Sequence, residues 1–183
     1  MSAAPSPQLA EQLRAHIREV PDFPKPGIRF YDITTLFASA EGLDLAVGGL
    51  AAFARPLDVD VVVGAEARGF VLGSALAREL GTGFVLARKP GKLPAATISE
   101  EYALEYGVDA LELHSDAVAD GARVLVHDDL LATGGTAEAV CKLVEQLGGV
   151  VVGCAFVIEL TFLGGRERLA EREVHSLVTY DSE

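Results

Sequence analysis

Two adjacent carboxylates, Asp128 and Asp129, follow the apolar run Val124-Leu125-Val126 and precede a turn of small residues, Ala132-Thr133-Gly134-Gly135-Thr136. Small residues let the backbone approach a ligand closely. The segment after the turn, AEAVCKLVEQL, places Val140, Leu143, Val144 and Leu147 on one helical face, so a helix starts there. A helix start presents unpaired N–H groups and positive dipole to an anion. Thr133 and Thr136 add hydroxyl donors to such a cradle. The two Asp repel phosphate, and suit sugar hydroxyls, a Mg²⁺ shell or a developing positive charge. A ligand carrying ribose and phosphate together satisfies all of these parts.

An anionic ligand also needs cations. Arg68 lies in the loop Gly64-Ala65-Glu66-Ala67-Arg68-Gly69, after the apolar run Val59 to Val63, and its planar fork suits two anionic oxygens. Arg88, Lys89 and Lys92 form a second cluster after the apolar run Gly83 to Ala87. The bland alternative for Arg68 is a surface pair with Glu66; for the cluster it is a solvated basic loop. His127 precedes the acids where an apolar residue is more usual, and reads as a strand-end histidine.

The elements that carry these residues alternate. Ser6-Pro7 opens a helix with Leu9, Leu13, Ile17 and Val20 on one face. Phe23-Pro24-Lys25-Pro26-Gly27 is an extended loop. Ser39 caps a second helix, and a third runs from Phe70 to Leu80 with Gly81 beyond its end. Strands are expected at Val59 to Val63, Gly83 to Ala87, Val124 to His127, Val150 to Ile158 and Ser176 to Tyr180. Their continuous apolar runs indicate a sheet covered on both faces. The fold class is therefore α/β, a mostly parallel central sheet with helices on both faces. Ligands of such sheets bind beyond the carboxyl ends of the strands, where residues 64–69, 88–109 and 128–136 would converge. Residues 92–109 are polar without sustained period and read as a loop.

At 183 residues the chain is expected to form one domain, residues 1–183, with a substantial core. Half of the residues are hydrophobic and the net charge is −12, which argues against nucleic acid as a partner. The longest apolar stretch, Val150 to Ile158, is too short for a membrane span, and the N-terminus lacks an apolar signal core; a cytoplasmic protein is expected. Cys141 and Cys154 read as buried reduced thiols. Neither a Walker A sequence nor a G-x-G-x-x-G turn is present.

The segment VLVHDDLLATGGT resembles the phosphoribosyl-pyrophosphate (PRPP) motif of the type I phosphoribosyltransferase family. Five segments, FPKPGIRFYDIT, GAEARGF, RKPGKLP, EYALEYG and VLVHDDLLATGGT, are similar in order and spacing to the adenine-specific branch of that family. The resemblance implies transfer of the 5-phosphoribosyl group from PRPP to adenine, giving AMP and pyrophosphate with Mg²⁺ held mainly by substrate and water. It also implies a small hood over the base site, with residues from 1 to about 35 contributing to the hood and base pocket, and a homodimer. The resemblance further assigns pyrophosphate binding to Arg68, with a Glu66–Ala67 peptide open to the cis form. Arg88, Lys89 and Lys92 join that anion site, and Ala132, Thr133, Gly134, Gly135 and Thr136 hold the 5′-phosphate. Residues 95–109 are the closing loop, and Glu105 is its acid/base group, beside Asp128 and Asp129 in the chemistry. Arg29, Phe30 and Leu160 surround the base. Here the chain departs from the family, which usually has an aliphatic residue at position 29 and Arg at position 31, whereas this sequence has Arg29 and Tyr31. Other readings are transfer to xanthine, hypoxanthine or guanine, and a PRPP-sensing regulator on the same fold.

Overall fold

The computed structural model describes residues 6–103 and 108–182. Helix α1 (Pro7–His16) opens on Ser6, whose hydroxyl accepts from the Leu9 amide at 3.2 Å. Strands β1 (Arg18–Val20) and β2 (Phe30–Asp32) pair antiparallel, with Arg18 opposite Asp32. A short helix α2 (Thr34–Phe37) leads to α3 (Ala40–Ala54), capped by Ser39 as expected. Then follow β3 (Val61–Ala65), α4 (Gly69–Leu80) and β4 (Gly83–Ala87). A hairpin of β5 (Thr97–Ala103) and β6 (Val108–His114) comes next. The chain continues through β7 (Arg123–Leu131), α5 (Gly135–Gln146), β8 (Val150–Leu160), α6 (Gly165–Arg168) and β9 (Val174–Tyr180).

The central sheet has the order β4-β3-β7-β8-β9, and every neighbouring pair is parallel. Alternate side chains go to opposite sides of each strand. Val62, Leu125, Ala155 and Leu177 pack with Leu13, Leu50, Leu72 and Leu76 from α1, α3 and α4. Val63, Val124, Val126 and Phe156 pack with Val140, Leu143 and Val144 of α5 and with Leu111 and Leu113 of the hairpin. Both sides are therefore apolar, which explains the unbroken apolar runs. Cys141 and Cys154 are fully buried free thiols.

Three expectations need correction. The first helix does not carry Ile17 and Val20 on its face: α1 ends at His16, Ile17 turns extended, and Val20 pairs with Phe30 in the β1–β2 ribbon. The acid pair does not follow its strand: β7 continues through Asp128 and Asp129 to Leu131, because the 11-residue β8 keeps pairing it, with Asp128 opposite Phe156 and Leu131 opposite Glu159. Within the stretch 92–109 expected as a loop, residues 97–103 and 108–109 belong to an antiparallel hairpin that continues to His114, in register from Thr97↔His114 to Ala103↔Val108. Its inward face mixes apolar and acidic residues, so no period of two stood out. Ile98 and Leu113 are apolar neighbours across the strands, whereas Glu100 on the same side of β5 reaches Lys142 (3.5 Å) and Gln146 (3.0 Å) of α5.

The departures at positions 29 and 31 also have an explanation. Arg29 pairs with Glu19 across the β1–β2 ribbon at 3.2 Å, and the Tyr31 ring stacks on Tyr180 with centroids 3.6 Å apart. This stack ties the ribbon to the last strand of the sheet.

Candidate active site

The carboxyl ends of β3, β4 and β7 open into a cavity of about 480 Å³. Its floor is Asp128 and Asp129. One wall is the turn Ala132 to Thr136, which runs into the amino end of α5; Gly134 caps that helix at φ +82°, a conformation that favours glycine. The opposite wall is Glu66, Ala67 and Arg68. The Glu66–Ala67 peptide is cis, and Phe23–Pro24 is cis as well. Lys89, from the end of β4, and Tyr102 and Asp109, from the hairpin, complete the lining.

The charges are arranged in pairs. The Arg68 Nε lies 2.6 Å from Asp129 Oδ2. Arg88 donates to the Glu66 carboxylate at 3.1 and 3.4 Å, and the Lys89 amide donates to it at 2.9 Å, which holds the Glu66 carboxyl below its ordinary range. The Lys89 ammonium is bound to Asp109 and lies 3.4 Å from the Tyr102 hydroxyl. The surface pair weighed for Arg68 and Glu66 is thus not formed. The Glu66 amide bonds to Ala87 of β4, which sets its carboxylate beside Arg88 and Lys89, while Arg68 opens α4 and faces β7.

Burial shapes the acid pair. Asp129 is 5% exposed. Loss of water pushes its carboxyl up, against the pull of Arg68. Asp128 is pushed well above the usual carboxylate range by burial and then by the charge of Asp129. The Arg68 guanidinium beside Asp129 favours the charged form of that residue. His127 is fully buried within β7, its Nδ1 donating to the Ala155 carbonyl at 2.8 Å; burial lowers its pKa to about 4.

Asp128, Asp129, Arg68, Lys89 and the whole Ala132–Thr136 turn meet at this one cavity. Arg88 and Lys92 do not line it. They flank a neighbouring cavity with Phe84, Leu93 and His114, because successive residues leaving β4 face opposite sides. Phe30 stands beside the site: the Arg68 guanidinium lies over its ring, 6.0 Å from the centroid, and Phe23 meets it edge-on at 5.2 Å. Arg29 is turned to Glu19, and Leu160 ends β8 half-buried, outside the lining of this cavity. Glu105 lies outside the described residues. Sequence reasoning did not assign Tyr102 and Asp109 to the site; only the hairpin brings them to Lys89, and nothing local to either residue signals that.

Residues 43–179 match the family model of the phosphoribosyl transferase domain. The adenine phosphoribosyltransferase of Solibacter usitatus is 57% identical over 92% of this chain and 98% of its own length. That of Clostridium perfringens is 59% identical over 92% of this chain and 98% of its own length. The crystal structure of adenine phosphoribosyltransferase from Thermoanaerobacter pseudethanolicus superposes with a TM-score of 0.90 at 51% identity, over 93% of this chain and 99% of that one. The Saccharomyces cerevisiae enzyme, complexed with an imino-altritol bisphosphate and adenine, gives a TM-score of 0.89 at 37% identity, over 93% of this chain and 98% of that one. With acid pair, backbone cradle and cations at one cavity, and with these relatives along almost its full length, the chain belongs to the adenine phosphoribosyltransferase branch of the phosphoribosyltransferase family.

Proposed function

We propose that the chain transfers the 5-phosphoribosyl group of PRPP to N9 of adenine, releasing AMP and pyrophosphate. The observation that carries this reading is the meeting of three unlike parts in one cavity: a backbone anion cradle, a buried acid pair and the cations Arg68 and Lys89. A single phosphate ligand needs only the first of these. A ligand with phosphate at one end, ribose in the middle and pyrophosphate at the other uses all three.

In this reading the Ala132–Thr136 amides and the positive end of α5 anchor the 5′-phosphate. Asp128 and Asp129 accept from the ribose hydroxyls. As the bond from C1′ to the pyrophosphate oxygen breaks, positive charge grows on the ribose, and the nearby carboxylates lower the barrier by facing it. Arg68 and Lys89 take the charge of the departing pyrophosphate, exchanging Asp129 and Asp109 for its oxygens. Phe30, beside Arg68, is a flat apolar face for the purine. The N9–C1′ bond forms on the other side, and the N9 proton passes to Glu105.

Mg²⁺ fits this donor set as a substrate-borne ion. Asp128 and Asp129 are hard oxygen donors beside the pyrophosphate side, too few to cage the ion, so substrate oxygens and water complete its shell. When bound, it neutralises pyrophosphate charge. The reading includes the ribbon of β1 and β2 as part of the hood over the base, and a cytoplasmic homodimer, both on the strength of the resemblance. Among the described residues no helix is long and apolar enough to cross a membrane. A related enzyme from Trypanosoma brucei, 26% identical, has been crystallised with AMP, pyrophosphate and ribose 5-phosphate, the three products and fragments this cavity is proposed to hold.

The test is pyrophosphate release from PRPP and Mg²⁺ with adenine, hypoxanthine, guanine or xanthine offered separately. Release with adenine alone is expected. Release with an oxopurine instead would move the specificity, and silence with all four alongside PRPP binding would favour a PRPP-sensing regulator.

A further inference from the structure

Behind the phosphate cradle lies an ion pair that the chemistry above does not use. Glu159, near the end of β8, is only 3% exposed and stands level with Leu131, the residue before the cradle. It receives both arms of one guanidinium: Arg166 Nε to Oε1 at 2.9 Å and Nη2 to Oε2 at 2.5 Å. The same Arg166 donates to the Val174 carbonyl of β9 at 2.8 Å. A bidentate pair fixes orientation as well as distance, so residue 166 is locked to two strands at once.

Its neighbour Gly165 touches the cradle. A Cβ on Gly165 would collide with the Ala132 carbonyl oxygen and come 2.9 Å from the Gly134 nitrogen. Reciprocally, a Cβ on Gly134 would lie 2.6 Å from the Gly165 carbonyl oxygen. The two backbones are in direct contact, so wherever Arg166 holds Gly165, the cradle is held too. We propose that Glu159 and Arg166 are positioning residues that clamp Gly165 against Ala132–Gly134 and so set the geometry of the 5′-phosphate site. This rests on the reading that the Ala132–Thr136 turn receives the 5′-phosphate. Glu159 is buried but the Arg166 side chain is 49% exposed, so the pair adds little net stability, whereas its bidentate fork fixes geometry. The pair's salt-bridge chemistry agrees: Arg166 holds the Glu159 carboxyl below its ordinary range despite burial.

The experiment compares ligands with and without the 5′-phosphate. Wild type, Gly165→Ala and Arg166→Met are titrated with ribose 5-phosphate, AMP and pyrophosphate, and their melting temperatures are recorded. Both variants should bind ribose 5-phosphate and AMP at least about tenfold more weakly, the loss of roughly one well-placed charged hydrogen bond. Pyrophosphate, which does not touch the cradle, should change less than about twofold, and KM for PRPP should rise more than kcat falls. Arg166→Lys, which keeps charge without the fork, should fall between. Equal losses for all three ligands, in step with the melting temperature, would make the pair merely structural and overturn the clamp, as would unchanged ribose 5-phosphate binding. Should one variant fail to fold, the other carries the same comparison. Wild type that binds ribose 5-phosphate yet transfers nothing to adenine would sink the functional reading while leaving the clamp to be judged by the variants.

Discussion

At the α5 end of the cavity a ligand meets backbone amides, fixed by the contact between Gly134 and Gly165; at the β3–β4 end it meets Arg68 and Lys89, each already bound to a protein carboxylate. The first end is ready before the ligand arrives. Its backbone donors have no side-chain freedom to lose and, among the described residues, no hydrogen-bond partner to leave. In the proposed reading the second end has to exchange partners, Asp129 and Asp109 for pyrophosphate oxygens. That exchange favours a ligand more highly charged than a single carboxylate. The difference suits the two jobs proposed for these ends: one phosphate stays through the reaction, whereas the pyrophosphate must be taken up and let go.

The largest expected effect lies between these ends, on the acids. Asp128→Asn should lower kcat by about 10²–10³-fold, the scale of losing one preorganised electrostatic group, while AMP binding weakens less than about tenfold. Steady-state kinetics with AMP titration checks this, and equal losses in both would demote Asp128 to a ligand clamp.

Next comes the exchanging end. Arg68→Ala should weaken pyrophosphate binding by about 10–100-fold, the range for a hydrogen bond to a charged group, and leave ribose 5-phosphate nearly untouched. If both ligands weakened alike, the two ends would not be separate sites.

The third effect concerns stability. The Asp128 carboxyl is raised in the folded chain, by burial and by Asp129. A raised folded-state pKa means that its contribution is complete at acid pH, below the unfolded value, and is lost as pH rises through the folded value. Asp128→Asn should therefore melt higher than wild type at pH ~8, by about 2–4 °C for each kcal/mol relieved, and the gap should close toward pH ~4 as the native carboxyl takes its proton. Thermal melts across that range decide it; a variant less stable at pH ~8 would show that Asp128 is not held at a cost.

The smallest effect is Asp109→Asn. Freeing Lys89 from a partner whose side chain is 26% exposed should tighten pyrophosphate binding by only about two- to fivefold, as befits an ion pair partly screened by solvent. Weaker binding would mean that Asp109 orients Lys89 and does not compete for it.

Legibility in the sequence followed the same division. The cradle and acids are contiguous, so Asp128 to Thr136 could be read directly, as could the parallel sheet from its apolar runs. The β3–β4 end is assembled from distant segments. That Arg68 would choose Asp129 and leave Glu66 to Arg88 depends on how β3, β4 and β7 align at their carboxyl ends, which no local pattern encodes. The hairpin was hidden because its inward face carries Glu100 and Asp109, satisfied by Lys142 and Lys89. Gly165 and Arg166 showed nothing more than a turn after a strand, since their meaning lies in contact with a loop some thirty residues earlier.

The most direct measurement is a crystal structure of the complex with AMP, pyrophosphate and Mg²⁺. The account predicts the AMP phosphate on the Thr133–Thr136 amides with the cradle unmoved, the ribose hydroxyls on Asp128 and Asp129, and Arg68 turned from Asp129 to pyrophosphate. Arg68 still on Asp129 with pyrophosphate bound elsewhere, or a cradle that re-forms around the phosphate, would contradict it.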